Sequence, residues 1–197
     1  YWQISTFSPS IFGIDLSSAS KRHSLSIAYV NLSVSQDEKT IDLNNERDLK
    51  SISVDELLNN SSRVLIRGDA GSGKTTLLKW IAVRAASRSF VGKLNKWNDL
   101  VPFFIRLRSI HGESFPKPEE FPSLIAPAIS GTMPEKWAHQ ILSSGKALVL
   151  IDGIDEISIS RRKIVRAWLE DLCQNFPDCI FIVTSRPSAV SANWLIE

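Results

Sequence analysis

At 197 residues the chain suits one domain of ordinary size or slightly more. Hydrophobic residues at 43% and charged residues at 22% exclude a disordered chain, a collagen-like fibre and a disulfide-stapled miniprotein. No apolar run approaches the roughly 20 residues that span a bilayer, and a net charge of +2, from 23 basic against 21 acidic residues, lacks the basic excess of a nucleic-acid binder. Neither a membrane nor nucleic acid is an expected partner.

Residues 1–50 read as an N-terminal linker or pre-core segment. Within it, residues 24–35 partly alternate apolar and polar side chains, which predicts a strand, and residues 36–50 form a charged connector. Residues 51–197 read as the core domain. Ser53-Val54-Asp55-Glu56 has the pattern of an N-cap followed by acids, opening a short helix through Leu57 and Leu58. From Arg63 the pattern becomes alternating strands and helices. Val64-Leu65-Ile66 is a strand that stops at Gly68, and a helix follows over 73–87, with Leu77, Leu78, Ile81, Ala82 and Ala85 at helical spacing. Residues 101–107 read as a second strand. The next stretch, 112–134, holds five of the nine prolines and is expected to be loop with short helical pieces. A short helix over 134–142, a third strand over 147–152, a helix over 161–175 and a fourth strand over 179–184 complete the reading. Such alternation predicts an α/β fold, a parallel sheet covered on both faces.

The phosphate-binding signal is Gly68-Asp69-Ala70-Gly71-Ser72-Gly73-Lys74-Thr75, a complete G-x-x-x-x-G-K-[ST] between an apolar strand and an amphipathic helix. Glycines admit positive φ, so the loop can curl its N–H groups around an anion. The helix directs its positive dipole end at the same place. Lys74 is placed to reach the β- and γ-phosphates, the Thr75 hydroxyl to ligate Mg²⁺, and Thr76 to touch the α-phosphate. The metal also needs a carboxylate from another strand end. Leu148-Val149-Leu150-Ile151-Asp152 supplies it at Asp152. Asp155 and Glu156 follow within four residues, and either can orient or deprotonate the attacking water. The strand over 179–184 runs into Ser185-Arg186-Pro187, which brings Arg186 towards the γ-phosphate as a sensing or stabilising cation.

Asp152-Gly153-Ile154-Asp155-Glu156 resembles the acidic motif of the NACHT family of signal-transducing P-loop ATPases, in the STAND class. Thr184-Ser185-Arg186-Pro187 is similar to that family's sensor segment, and Val101-Pro102-Phe103-Phe104-Ile105-Arg106-Leu107-Arg108 to its second strand. The resemblance covers roughly residues 53–187, and its flavour is that of prokaryotic NACHT proteins of antiviral defence. It implies a three-layer α/β/α core with strand order 5-1-4-3-2, ATP and ADP as ligands with Mg²⁺, and slow hydrolysis. It further implies switching between a closed ADP state and an open ATP state that self-associates. Effector and sensor domains are expected outside this chain, and Tyr29 and Val30 beside the adenine. The fifth strand and the lid that clamps ADP are expected past Glu197, which would leave this span with weak hydrolysis or none.

Two rival readings remain open on the residues alone. A remodelling motor of the AAA+ kind is disfavoured by Gly153, where such motors place a catalytic Glu directly after the metal Asp. A module that keeps nucleotide as a structural clip, without turnover, has the same motifs. Arg161-Arg162-Lys163 reads as a solvated helix face, and Trp80 and Trp168 as core residues. Cys173 and Cys179, with five residues between them, form no CxxC, and His23, His111 and His139 have no ligand partners in the sequence. Two half-buried thiols in a reducing compartment are expected. No signal sequence opens the chain, whose lack of an initial Met marks it as a fragment, and a cytoplasmic location is expected.

Overall fold

The computed structural model describes residues 61–112 and 114–190, together with 33–34, 52–53, 58–59 and 194. Two short strands, β1 (Ser33–Val34) and β2 (Ile52–Ser53), pair antiparallel. Of the strand expected over 24–35, only these two residues are described, and the charged connector lies outside the described residues. Ser53 sits in β2, its backbone aligned with Ser33, and helical backbone is present at Leu58 and Asn59; residues 54–57, where the expected helix begins, lie outside the described residues.

The four apolar runs downstream form one parallel sheet: β3 (Arg63–Arg67), β4 (Val101–Arg106), β5 (Ala147–Asp152) and β6 (Ile180–Ser185). Their order is β3-β6-β5-β4. Numbered among themselves, the four run 1-4-3-2, the order expected from the resemblance without its fifth member. The strand that ends in the sensor segment therefore lies between the phosphate-loop strand and the acidic strand. All six residues of β5 are buried, which explains why it reads as an unbroken apolar run. Its side chains alternate between two cores. Val149 and Ile151 join Phe103, Ile105, Phe181 and Val183 on one face, whereas Leu148 and Leu150 join Val64 and Ile182 on the other. Removing each such side chain from water contributes about 2 kcal/mol.

Helix α1 (Lys74–Ala86) covers the second face through Leu77, Leu78, Ile81 and Ala85. Four helices follow: α2 (Phe121–Ile125), α3 (Pro127–Ser130), α4 (Trp137–Ser143) and α5 (Ile159–Asn175). The proline-rich stretch thus contains short helical pieces, as its composition suggests. Helix α5 lays Val165, Leu169, Leu172 and Cys173 on the first face. A 3-10 segment at Gly92–Asp99 has no counterpart in the sequence reading, because its string of polar residues carries only Leu94 and Trp97 as apolar signals. Trp97 is fully buried, edge-on to Phe90 at 5.6 Å between ring centroids. The Asn98 side chain accepts from the Phe90 N–H at 2.8 Å and donates to the Phe90 carbonyl at 3.0 Å, which fixes the segment.

The Arg161-Arg162-Lys163 run differs from a solvated face. Arg161 lies over the Phe115 ring at 5.0 Å and donates to the Ile110 carbonyl, and Arg162 donates to the Ala189 and Asp155 carbonyls. Only Lys163 is exposed. The long stems of both arginines cover apolar surface while their heads meet backbone oxygens. Trp168 packs as expected, stacked on Phe115 with its indole N–H on the Pro116 carbonyl, and Trp80 meets Phe90 edge-on. Cys173 and Cys179 are buried free thiols, and burial pushes both above the usual thiol range. His139 pairs with Glu119 at 2.9 Å. No helix among the described residues is long and apolar enough to cross a membrane.

Candidate functional site

The parallel register aligns the carboxyl ends of the four strands: Arg67 stands beside Ser185, Ile151 beside Val183 and Arg106 beside Asp152. Ligands of open α/β sheets gather along this edge. The loop from Gly68 begins there, tied to the sheet by the Gly68 N–H on the Ser185 carbonyl at 3.2 Å. Gly71 and Gly73 take φ of 78° and 87°, values open to glycine and strained for other residues. Gly73 is the N-cap of α1, whose first turn closes with the Leu77 N–H on the Gly73 carbonyl at 2.8 Å. The loop therefore delivers Lys74 and Thr75 on the first turn of a helix, where unpaired N–H groups and the helix dipole favour an anion. Lys74 Nζ lies 2.6 Å from the Gly68 carbonyl and 2.8 Å from that of Asp69, closing the loop on itself.

Asp152, the last residue of β5, is 6% exposed. The Thr75 hydroxyl lies 3.0 Å and 2.9 Å from its two carboxylate oxygens. A second hydroxyl, from Thr184, donates to Asp152 Oδ1 at 2.8 Å and accepts from the Gly153 N–H at 3.1 Å. Thr184 is fully buried, and it cross-links the acidic strand to the sensor strand at their ends. Hydroxyl and carboxylate oxygens at one point beside an anion-binding helix end are the donor set a Mg²⁺ ion takes, with phosphate and water completing its shell. The residues present fit that ion.

The turn after Asp152 presents the two further acids in different settings. Asp155 is engaged twice by Arg186: Nε lies 2.8 Å from Oδ2, and the Arg186 backbone N–H donates to Oδ1 at 3.1 Å. Glu156 has one loose neighbour, Arg108 Nε at 3.6 Å, and is 36% exposed. Gly153 has φ of 86°, and a Cβ built there would stand 3.0 Å from the Glu156 carboxyl carbon. Glycine in the acidic motif is therefore required by its left-handed backbone, and a Cβ there would push the Glu156 carboxyl aside. Gly153→Ala is expected to lower stability by about 1–2 kcal/mol and to displace Glu156. A shifted denaturant midpoint with reduced ATP turnover checks this.

Ala70, Gly71, Ser72, Gly73, Lys74, Thr75, Thr76, Asp152, Asp155, Glu156 and Arg186 line one cleft of about 240 Å³. Gly68 and Asp69 stand at its entry to the sheet, as acceptors for Lys74. Tyr29 and Val30 lie outside the described residues. Three residues were not singled out as site residues by the sequence reading: Thr184, Gly153 and Arg108. Thr184 carried a usable signal, a hydroxyl closing the apolar run Ile180-Phe181-Ile182-Val183. Arg108 carried none, because the chain must turn through a 3-10 segment, Leu107–Ser109, before it faces Glu156.

No curated protein sequence matches the chain. A family model described as the NACHT domain matches residues 62–196, the span that carries the loop, the acidic strand and the sensor segment. The chain belongs to the NACHT family of P-loop nucleoside triphosphatases.

Proposed function

We infer that the chain is the Mg²⁺-dependent ATP-binding and slowly hydrolysing module of a signalling switch, whose nucleotide state controls self-association. The observation that carries this reading is the meeting of Thr75 and Asp152 beside Lys74 in the same cleft. Lys74 neutralises the β- and γ-phosphates, the loop N–H groups and Thr76 hold the phosphate chain, and Thr75 with Asp152 hold Mg²⁺, which supplies charge neutralisation at the phosphates when bound. Glu156 is the more exposed of the two acids and meets only Arg108, at 3.6 Å, so we assign it to orient the water and take its proton. Arg186 faces the terminal phosphate. We assign adenine selection to Tyr29 and Val30, and the lid, the effector and the sensor domains to segments outside this chain. The antiviral role rests on the likeness of the motifs to those of prokaryotic members, and the cytoplasmic location on the two free thiols. We take residues 1–50 as the pre-core segment and 51–197 as the nucleotide-binding domain.

The test is the solution mass of the chain with Mg·ADP and with Mg and a non-hydrolysable ATP analogue, beside its steady-state ATP turnover. A larger mass with the analogue and slow turnover support the switch. Equal masses with fast continuous turnover would support the remodelling motor instead, and binding without turnover the structural clip.

Thr184 lines the cleft and positions Asp152 through its hydroxyl. Thr184→Val removes the hydroxyl that orients Asp152 Oδ1 and leaves the buried Gly153 N–H without its partner, at a cost of about 1–3 kcal/mol. Mg²⁺-dependent nucleotide affinity is expected to fall about tenfold, while Mg²⁺-free affinity is unchanged and Thr184→Ser restores most of the loss. Equal losses with and without Mg²⁺ would mark Thr184 as a packing residue only.

A further inference from the structure

Asp155 is held in the cleft without a role in the chemistry above. Its carboxylate is 11% exposed, whereas the Arg186 side chain that pairs with it is 52% exposed. The turn behind the carboxylate is fixed from a second direction, because Arg162 Nη2 donates to the Asp155 carbonyl at 3.4 Å and Arg162 Nη1 to the Ala189 carbonyl at 3.3 Å. The Arg186 backbone N–H anchors the other end of the contact on Asp155 Oδ1 at 3.1 Å. Of the two charged partners, the guanidinium is therefore the one with room to turn. Both line the same cleft as Lys74 and Thr75. A guanidinium there has two anions to choose from when a triphosphate binds, the carboxylate and the terminal phosphate, and one when a diphosphate binds.

We propose that Asp155 is a specificity-determining residue, a competing anion that holds Arg186 until a γ-phosphate displaces it and thereby sets the affinity ratio of ATP to ADP. The inference rests on the nucleotide reading of the cleft. ATP must break the pair between Arg186 Nε and Asp155 Oδ2 to gain the guanidinium, and ADP leaves it intact. The carboxylate so lowers the preference for ATP that a free arginine would give, and nucleotide discrimination is set by a protein contact that the ligand exchanges.

The experiment is equilibrium titration of the 197-residue chain with Mg·ADP and with Mg and a non-hydrolysable ATP analogue. Four proteins are compared: wild type, Asp155→Asn, Arg186→Ala and the double variant. Asp155→Asn is expected to bind the analogue about fivefold more tightly with ADP affinity unchanged. Loss of a negative charge near the phosphates could by itself favour the triphosphate, and the Arg186→Ala background separates the two causes. The gain must vanish there. An unchanged or lowered ATP-to-ADP ratio in Asp155→Asn would overturn the proposal, as would the same gain persisting without Arg186. Retained ADP binding reports that each variant is folded, and Asp155→Ser replaces Asn if that variant is not. A wild-type chain that binds neither nucleotide would remove the nucleotide reading itself, and the proposal with it.

Discussion

Lys74→Ala is expected to reduce Mg·ATP and Mg·ADP affinity by 100-fold or more, the order of magnitude for truncating one partner of a desolvated charge pair, about 3 kcal/mol. The reason lies in the geometry of the loop. Lys74 Nζ stands 2.6 Å from the Gly68 carbonyl and 2.8 Å from the Asp69 carbonyl, so its removal takes away both the phosphate's counter-charge and the contact that closes the loop. The fold should survive, because Lys74 is not among the core side chains and α1 is held by Leu77, Leu78, Ile81 and Ala85. Titration with a fluorescent nucleotide, beside a thermal melt, checks both halves. A melt like that of wild type with binding at wild-type strength would place the nucleotide site elsewhere.

Glu156→Gln should leave nucleotide affinity unchanged and slow steady-state ATP turnover by about 100-fold or more, the usual contribution of a positioned general base. Glu156 is favoured over Asp155 for the water because it is 36% exposed with one contact at 3.6 Å, whereas Asp155 is 11% exposed and its Oδ1 is held by the Arg186 backbone N–H at 3.1 Å. The amide of Gln is isosteric and keeps the cover over Gly153. Loss of turnover then reports chemistry and not a disturbed turn. Turnover that persists in Glu156→Gln and fails in Asp155→Asn would reverse the assignment.

Much of this arrangement was legible in the residue string, and the reasons are physical. β5 reads as an unbroken apolar run because both its faces are covered, and the loop is readable because positive φ at Gly71 and Gly73 demands glycine at fixed spacing. The end of α1 could be placed within a residue or so by its apolar period. Strand order came from the family resemblance and not from the pattern of the strands, since alternating β and α units are compatible with several orders. The pairing of Arg186 with Asp155 and of Arg108 with Glu156 depends on which strand ends become neighbours, and that is set by tertiary packing between residues 31 and 48 positions apart. The inward turn of Arg161 and Arg162 was hidden for a related reason. A basic run looks solvated until the backbone carbonyls of Ile110, Asp155 and Ala189 are brought under it.

On the proposed reading, the cleft formed by the loop, Asp152 and the sensor segment is a Mg²⁺-dependent adenine-nucleotide site. Calorimetric titration of the wild-type chain with ATP, with and without Mg²⁺, tests it most directly. One nucleotide per chain is expected, bound more tightly when Mg²⁺ is present. No saturable binding under either condition, or binding indifferent to Mg²⁺, would contradict it.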